Sequence, residues 1–407
     1  MSRIDDLIAQ FCPDGVEYKA IGDFCELVRG NGMPKSDFAE SGVGCIHYGQ
    51  IYTYYGISTI ETISFVSAKK AEKLTKVDPG DLVITNTSEN IDDVCKAVAW
   101  IGDAQIVTGG HATVLKHEQD PKYLSYYLQT PHFFTEKKKH ATGTKVIDVS
   151  AKNLAKIMIP VPPLEVQREI VKVLDTFTKL QAELQAELQA RSRQYAYYRD
   201  ALLAFKNQNV RWAAMSEVGE FFRGRRFTKE DYIPDGIECI HYGDIYTQYG
   251  TASTATVSHV RSDMASALRF AKPGDLVIAG VGETVEDVGK AVAWLGDGEV
   301  AIHDDCFAFR HSLNPRFVSY YFQTAAFHAE KNKFVARAKV KRLSAESLGK
   351  ITIPVPPLDE QVRIVAILNN FDALVNDLSS GLPAEIKARR QQYEYYRDRL
   401  LSFREAA

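Results

Sequence analysis

The chain writes itself twice. "CIHYGQIYTYYG" begins at Cys45 and "CIHYGDIYTQYG" at Cys239, 194 residues later, with ten of twelve residues identical. "PGDLVITNTSENIDDVCKAVAWIGD" from Pro79 returns from Pro273 as "PGDLVIAGVGETVEDVGKAVAWLGD" at the same offset. "IPVPPLEVQREIVKVLDTF" from Ile159 returns from Ile353 as "IPVPPLDEQVRIVAILNNF". "RQYAYYRDALLAF" from Arg193 returns from Gln391 as "QQYEYYRDRLLSF", now at an offset of 198. A repeat of this length predicts that each half builds its own core, and 407 residues exceed one ordinary core.

Each half has two parts. In residues 1–155 and 207–348, apolar alternation is punctuated by Gly and Pro; "GDLVIT" and "KAVAWIG" read as strands, "CIHYG" as a strand, and "PKYLSYYLQTPHFFTEKKK" as one helix. Residues 156–206 and 349–407 read as helical. Leu164, Ile170, Val171, Leu174, Phe177, Leu180, Leu184 and Leu188 recur at three and four residues behind an extended Pro162–Pro163 entry. The first helix is expected to run unbroken from about 164 to 205, through the strong helix formers "QAELQAELQA", over roughly 60 Å. Its counterpart carries "SSGLPAEI" (379–386), where Gly381 ends one helix and Pro383 suits the first turn of the next. An apolar stripe on so long a helix must be buried. The expected fold is therefore α+β: two tandem mixed α/β domains separated by two long helical regions that pair as an antiparallel coiled coil, pseudo-two-fold symmetric.

Composition narrows the function. No apolar run approaches the length of a membrane span, and "MSRIDDLIAQF" opens with an acidic pair rather than the basic end of a signal peptide. Six scattered cysteines without a Cys-x-x-Cys pair point to reduced thiols and a cytoplasmic protein. A net charge of −3 argues against non-specific coating of nucleic acid but leaves room for local basic faces. There is no G-x-x-x-x-G-K-[ST] loop, G-x-S-x-G elbow, H-E-x-x-H or Asn-Pro-Pro-aromatic tetrapeptide. Cys45-x-His47 and Cys239-x-His241 supply two ligands each where zinc needs more, so packed strand residues are the preferred reading and no metal or cofactor is assigned. Two related readers and no reaction suit a molecule that reads two half-sites.

The blocks "TGTKVIDVSAKNLAKIMIPVPPLEVQREIVKVLDTF", "RQYAYYRDALL" and "GLPAEIKARRQQYEYYRDRLLSF" resemble those of type I restriction–modification specificity subunits. "YGQIYTYYG" and "PGDLVITNTSENIDDV" resemble blocks of that family's target-recognition domains. The resemblance implies a subunit without activity of its own, with target-recognition domains at 1–155 and 207–348. It implies two methylation subunits as partners, using S-adenosylmethionine, and restriction subunits using ATP and Mg. Each domain would read one half of a bipartite site in double-stranded DNA, and the paired helices would set the gap. A stand-alone two-headed DNA-binding regulator is the alternative. The sequence departs from the family pattern at Val166, where the second copy has Glu360, and at "ARAK" (336–339), where the first copy has "TGTK".

Framework is what a duplicated domain keeps; discrimination is where the copies differ. Within the opening block only Gln50/Asp244 and Tyr54/Gln248 differ. Gln pairs with adenine and Asp accepts from cytosine, with drift on an exposed strand as the alternative. Larger differences set "RGNGMPK" (29–35) against "RGRRFTK" (223–229), "TNTSEN" (85–90) against "AGVGET" (279–284), and "TGTKVID" (142–148) against "ARAKVKR" (336–342). The first domain thus offers Asn31, Lys35, Asn86, Ser88, Asn90, His111, Thr142, Thr144 and Lys145. The second offers Arg225, Arg226, Lys229, Glu283, Thr284, Arg337, Lys339, Lys341 and Arg342, and its groove is expected to be basic. The shared tyrosines Tyr48, Tyr52, Tyr55 and Tyr242, Tyr246, Tyr249 are expected to pack or touch phosphate. Tyr195, Tyr197, Tyr198 and Arg199, with Tyr393, Tyr395, Tyr396 and Arg397, read as a docking surface for methylation subunits or as inter-helix packing. Pseudo-symmetry predicts half-sites that are similar but not identical. One inserted QAEL unit, adding about 6 Å and a net twist near 40°, predicts a gap longer by about one base pair.

Overall fold

A computed structural model describes residues 3–206, 209–336, 339–377 and 379–406. The chain divides into two compact units: Met1–Glu183 with Lys387–Ala407, and Leu184–Ile386. Each unit thus combines one mixed domain with pieces of two helical regions.

In the first unit, one five-stranded sheet has the order Glu26–Arg29, Ala112–Lys116, Leu82–Thr85, Ala97–Trp100, Ser58–Thr59. Its central strands Leu82–Thr85 and Ala97–Trp100 are buried throughout, so they read as unbroken apolar runs. A second five-stranded sheet orders Phe38–Ala39, Ser64–Val66, Val43–Ile46, Ile106–Thr108, Thr75–Val77. The second unit repeats the pattern. Its five strands are Gly219–Arg223, Cys306–His311, Leu276–Ala279, Ala291–Trp294, Ala252–Ser253, and its other sheet has four.

The stretch read as one helix from Pro121 is two, Pro121–Tyr127 and Pro131–His140. Pro131 forces Thr130 into an extended conformation (ψ 152°), and the Thr130 side chain caps the second helix by accepting the Phe133 N–H. Leu164–Leu203 is one continuous 40-residue helix, and its counterpart breaks into Leu358–Asn376 and Leu382–Leu400 around Gly381. The shared Pro-Pro-Leu-x-x-Gln block has a structural cause. Gln167 is fully buried; it donates to Pro162 O at 2.7 Å and accepts from Asp120 N at 3.0 Å. Gln361 repeats both bonds, with Pro356 O at 2.8 Å and Asn314 N at 2.7 Å. An amide with donor and acceptor both satisfied fixes the helix start against the mixed domain.

The long helices bury their stripes in both units. In the first, Val166, Ile170, Val171 and Leu174 join Tyr393 and Leu401 in one core, and Phe177 stacks on Tyr396 at 5.4 Å. In the second, Tyr195 and Leu203 join Ile364, Val365 and Leu368, and Tyr198 stacks on Phe371 at 5.6 Å. The final residues close the first unit: Ala406 N donates to Val16 O at 3.0 Å and Val16 N to Arg404 O at 2.8 Å. Among the described residues no helix is long and apolar enough to cross a membrane, and all six cysteines are unpaired and buried.

Candidate nucleic-acid interface

The repeated block is a strand-to-helix junction, not a strand alone. Val43–Ile46 ends at His47, which caps the helix Tyr48–Thr53; Tyr232–Ile240 ends at His241, which caps Tyr242–Thr247. His47 Nδ1 accepts the Gly49 N–H at 3.1 Å, and His241 Nδ1 accepts that of Gly243 at 3.0 Å. An accepting Nδ1 leaves the proton on Nε2, so the ring is neutral. Burial, with Lys35 and His111 near His47, holds its pKa below the usual histidine value; burial and His303 do the same to His241. The Cys45 and Cys239 side chains point into the cores, where burial pushes their thiols up to about 11 and about 12.

Gln50 and Asp244 are both engaged in the caps of their helices. Gln50 Oε1 accepts the His47 N–H at 3.0 Å, and Asp244 Oδ2 accepts the His241 N–H at 3.2 Å. Both close a capping box, a role that Gln and Asp both fill. Gln50 also donates to Ser64 Oγ at 2.6 Å. The tyrosines pack in the same spirit. Tyr52 donates to Thr87 O and Tyr246 to Val281 O, while the hydroxyls of Tyr55 and Tyr249 each accept a backbone N–H at 3.0 Å. Tyr54 and Gln248 stand exposed at the helix ends, away from the cavities described next.

In the first unit the variable segments converge. Ile147–Asp148 pairs with Thr87–Ser88, which sets the turn bearing Thr142, Thr144 and Lys145 beside Ser88. Asn31 bridges Gly109, bringing the 29–35 loop to Gly110 and His111. Two cavities meet at Tyr48 and His111. One, of about 390 Å³, reaches Ser88, Asn90 and Val146; the other, of about 470 Å³, reaches Lys35 and Gly32. Lys35, Thr144 and Lys145 are exposed and make no side-chain bond among the described residues. His111 adopts a left-handed backbone (φ 66°), and its Nδ1 lies 2.9 Å from Thr87 Oγ1.

Three expected DNA contacts of this unit bond within the domain, Asn86 in the core and Asn31 and Asn90 at the surface. Asn86 is 2% exposed, bonded to Val149 O at 2.9 Å and Thr113 Oγ1 at 2.7 Å, so it is a core residue. Asn31 Nδ2 donates to Lys73 O at 3.1 Å. Asn90 bonds Asp93 through both its amide atoms, and in the second copy Thr284 bonds Asp287 in the same way.

The second unit brings Val281–Gly282 against Lys341–Arg342, beside a cavity of about 450 Å³ reaching Arg223, Asp304 and Asp305. This groove is not simply basic. Arg342 pairs with Asp305 at 3.4 Å, and Arg223 lies 3.6 Å from Asp304 and 3.8 Å from Asp305. Aligning "VTGGHA" (107–112) with "AIHDDC" (301–306) at the 194 offset would have exposed both aspartates and His303. Arg225, Arg226, Lys229, Glu283 and Lys339 are exposed, Lys341 is half-buried, and Arg337 lies outside the described residues. His303, Asp304 and Asp305 place one ligand atom each within 4.8 Å, but His303 is already bonded to Phe227 O and Asp305 N.

The tyrosine-rich helix ends divide into two kinds. Tyr195 and Tyr393 are 5% and 8% exposed, so they are core residues rather than docking surface. Arg199 and Arg397 lie over those rings at 5.6 and 5.7 Å and pair with Asp200 and Asp398. Tyr198 and Tyr396 lend one face to the stacks above. Tyr197 and Tyr395 remain 69% and 59% exposed.

Comparisons with known proteins agree with this architecture. The profile of the family described as Type I restriction modification DNA specificity domain matches residues 13–191 and again 209–388. The chain is 32% identical over 292 residues to the EcoR124I/EcoR124II specificity subunit of Escherichia coli, covering 69% of this chain and 70% of that one. It is 28% identical to a putative type I restriction enzyme specificity subunit of Haemophilus influenzae, covering 95% and 96%. Among solved structures it is similar in fold to a chain from a type I R-M system (TM-score 0.63, 17% identity, 96% and 98% covered). It is also similar to the S subunit from M. genitalium (TM-score 0.52, 14% identity, 95% and 96% covered). The chain belongs to the type I restriction–modification DNA specificity family, as a non-catalytic specificity subunit with two copies of the specificity domain.

Proposed function

We propose that the chain reads a bipartite site in double-stranded DNA, one half with each recognition domain, and delivers adenine methylation there through two methylation subunits. Restriction subunits join in the full cytoplasmic complex. S-adenosylmethionine, ATP and Mg belong to those partners. The observation that carries this reading is a contrast within the repeat. Caps, buried glutamines and tyrosine hydroxyl bonds are the same in both units, while the segments that differ converge on a cavity in each. A constant frame with variable rims is what two readers of different half-sites need. Lys35, Thr144 and Lys145 in the first domain, and Arg225, Arg226, Lys229 and Lys339 in the second, are the side chains we assign to DNA. Tyr197 and Tyr395 are assigned to the methylation subunits. The test is footprinting of the chain assembled with its methylation subunits. Two protected tracts separated by an open gap are expected; one continuous tract, or none, overturns the reading.

A further inference from the structure

Two lysines set back from the variable rims are buried at matching places. Lys137 lies on the helix Pro131–His140 and Lys331 on Ala325–Lys331, 194 residues apart. They are 4% and 0% exposed, and among the described residues neither forms an ion pair. Lys137 Nζ donates to Asp92 O at 3.0 Å and Val94 O at 2.7 Å. Lys331 Nζ donates to Val285 O at 2.8 Å, Glu286 O at 3.0 Å and Val288 O.

An ammonium withdrawn from water is expensive unless its donors are satisfied, and a Met or Leu would fill the space at no such cost. The carbonyls explain the choice. They belong to an irregular turn whose next residue is left-handed in both units: Cys95 at φ 63° and Gly289 at φ 85°. Carbonyls in such a turn have no sheet partner, and three diverging N–H donors on one atom satisfy several at once. Burial pushes the Lys331 amine down to about 8, against the pull of Glu286 and Asp287. The same turn follows Thr87–Ser88, which pairs with Ile147–Asp148 just after Thr144 and Lys145; in the other domain it follows Val281–Gly282, which pairs with Lys341–Arg342 just after Lys339.

We propose that Lys137 and Lys331 are positioning residues, each buried ammonium holding the rim turn of its own domain and so setting discrimination at one half-site only. The proposal rests on the DNA-reading function proposed above. Its test uses the chain assembled with its methylation subunits, and duplexes carrying the wild-type site or one base change in either half. Lys137→Met should reduce discrimination against changes in one half by roughly tenfold, as for the loss of one base contact. It should leave the other half unchanged, and Lys331→Met should do the reverse. If the Met variants do not assemble, Lys137→Gln and Lys331→Gln are read the same way. Leu154→Ala and Leu348→Ala, fully buried in the same two cores, serve as matched losses of stability. Equal relaxation in those controls, or retained discrimination in the lysine variants, overturns the proposal. If the wild-type complex discriminates no duplex, the DNA reading itself falls and the proposal falls with it.

Discussion

Gln50 and His47 close a reciprocal cap: the Gln50 side chain accepts the His47 N–H at 3.0 Å while the His47 ring accepts from Gly49. Asp244 and His241 repeat it. Exchanging the two acceptors should therefore leave sequence recognition alone. Gln50→Asp and Asp244→Gln are expected to methylate the wild-type motif, whereas Gln50→Ala should lose about 1 kcal/mol of stability. A changed motif in either exchange variant would return Gln50 to the DNA interface.

Asp305 sits between two guanidiniums, 3.4 Å from that of Arg342 and 3.8 Å from that of Arg223. Removing its charge releases Arg342 toward phosphate, while Arg223 keeps Asp304 at 3.6 Å. Asp305→Asn is expected to tighten non-specific DNA binding and to steepen the dependence of log K on log salt by about one. An unchanged slope would mean that this cavity does not face the backbone.

Burial holds His311 down to about 4, and His117, His47 and His241 also lie below the ordinary value. Their folded pKa values are depressed, so the unfolded chain binds protons first as pH falls. The stability they confer is complete above about pH 6.5 and is lost as pH drops toward 4. Denaturation midpoints should fall as pH drops below about 6.5. Replacing His311 by Phe should shrink that fall; an identical pH profile would remove His311 from the explanation.

Gly15 adopts φ 118°, and a Cβ there would lie 2.7 Å from Glu405 O. Both the conformation and the space exclude a side chain. Gly15→Ala should destabilise the first unit by at least ~1–3 kcal/mol, seen as a lowered melting temperature. A native melting temperature would show that the 401–406 segment is not held as described.

The repeat made the duplicated organisation legible, and period and composition located the long helix and its broken counterpart. The break at Thr130–Pro131 was also written in the sequence, as a cap residue before a first-turn proline, but the apolar run across it masked the signal. The histidine caps were hidden because imidazole is an uncommon capping group, and "CIHYG" keeps a strand's apolar character up to the turn. Burial defeated the reading of Asn86, since a satisfied core amide and an exposed reader share one letter. Asp304 and Asp305 were missed because charge was summed along segments, while their partner arginines come from other strands.

The central claim is that the two domains read the halves of one split DNA site. Mapping adenine methylation across the host genome by single-molecule sequencing, with this gene present and then deleted, tests it most directly. A split motif with similar but unequal halves, methylated only when the gene is present, is expected. Its partners being expressed, a methylation pattern indifferent to the gene would contradict it.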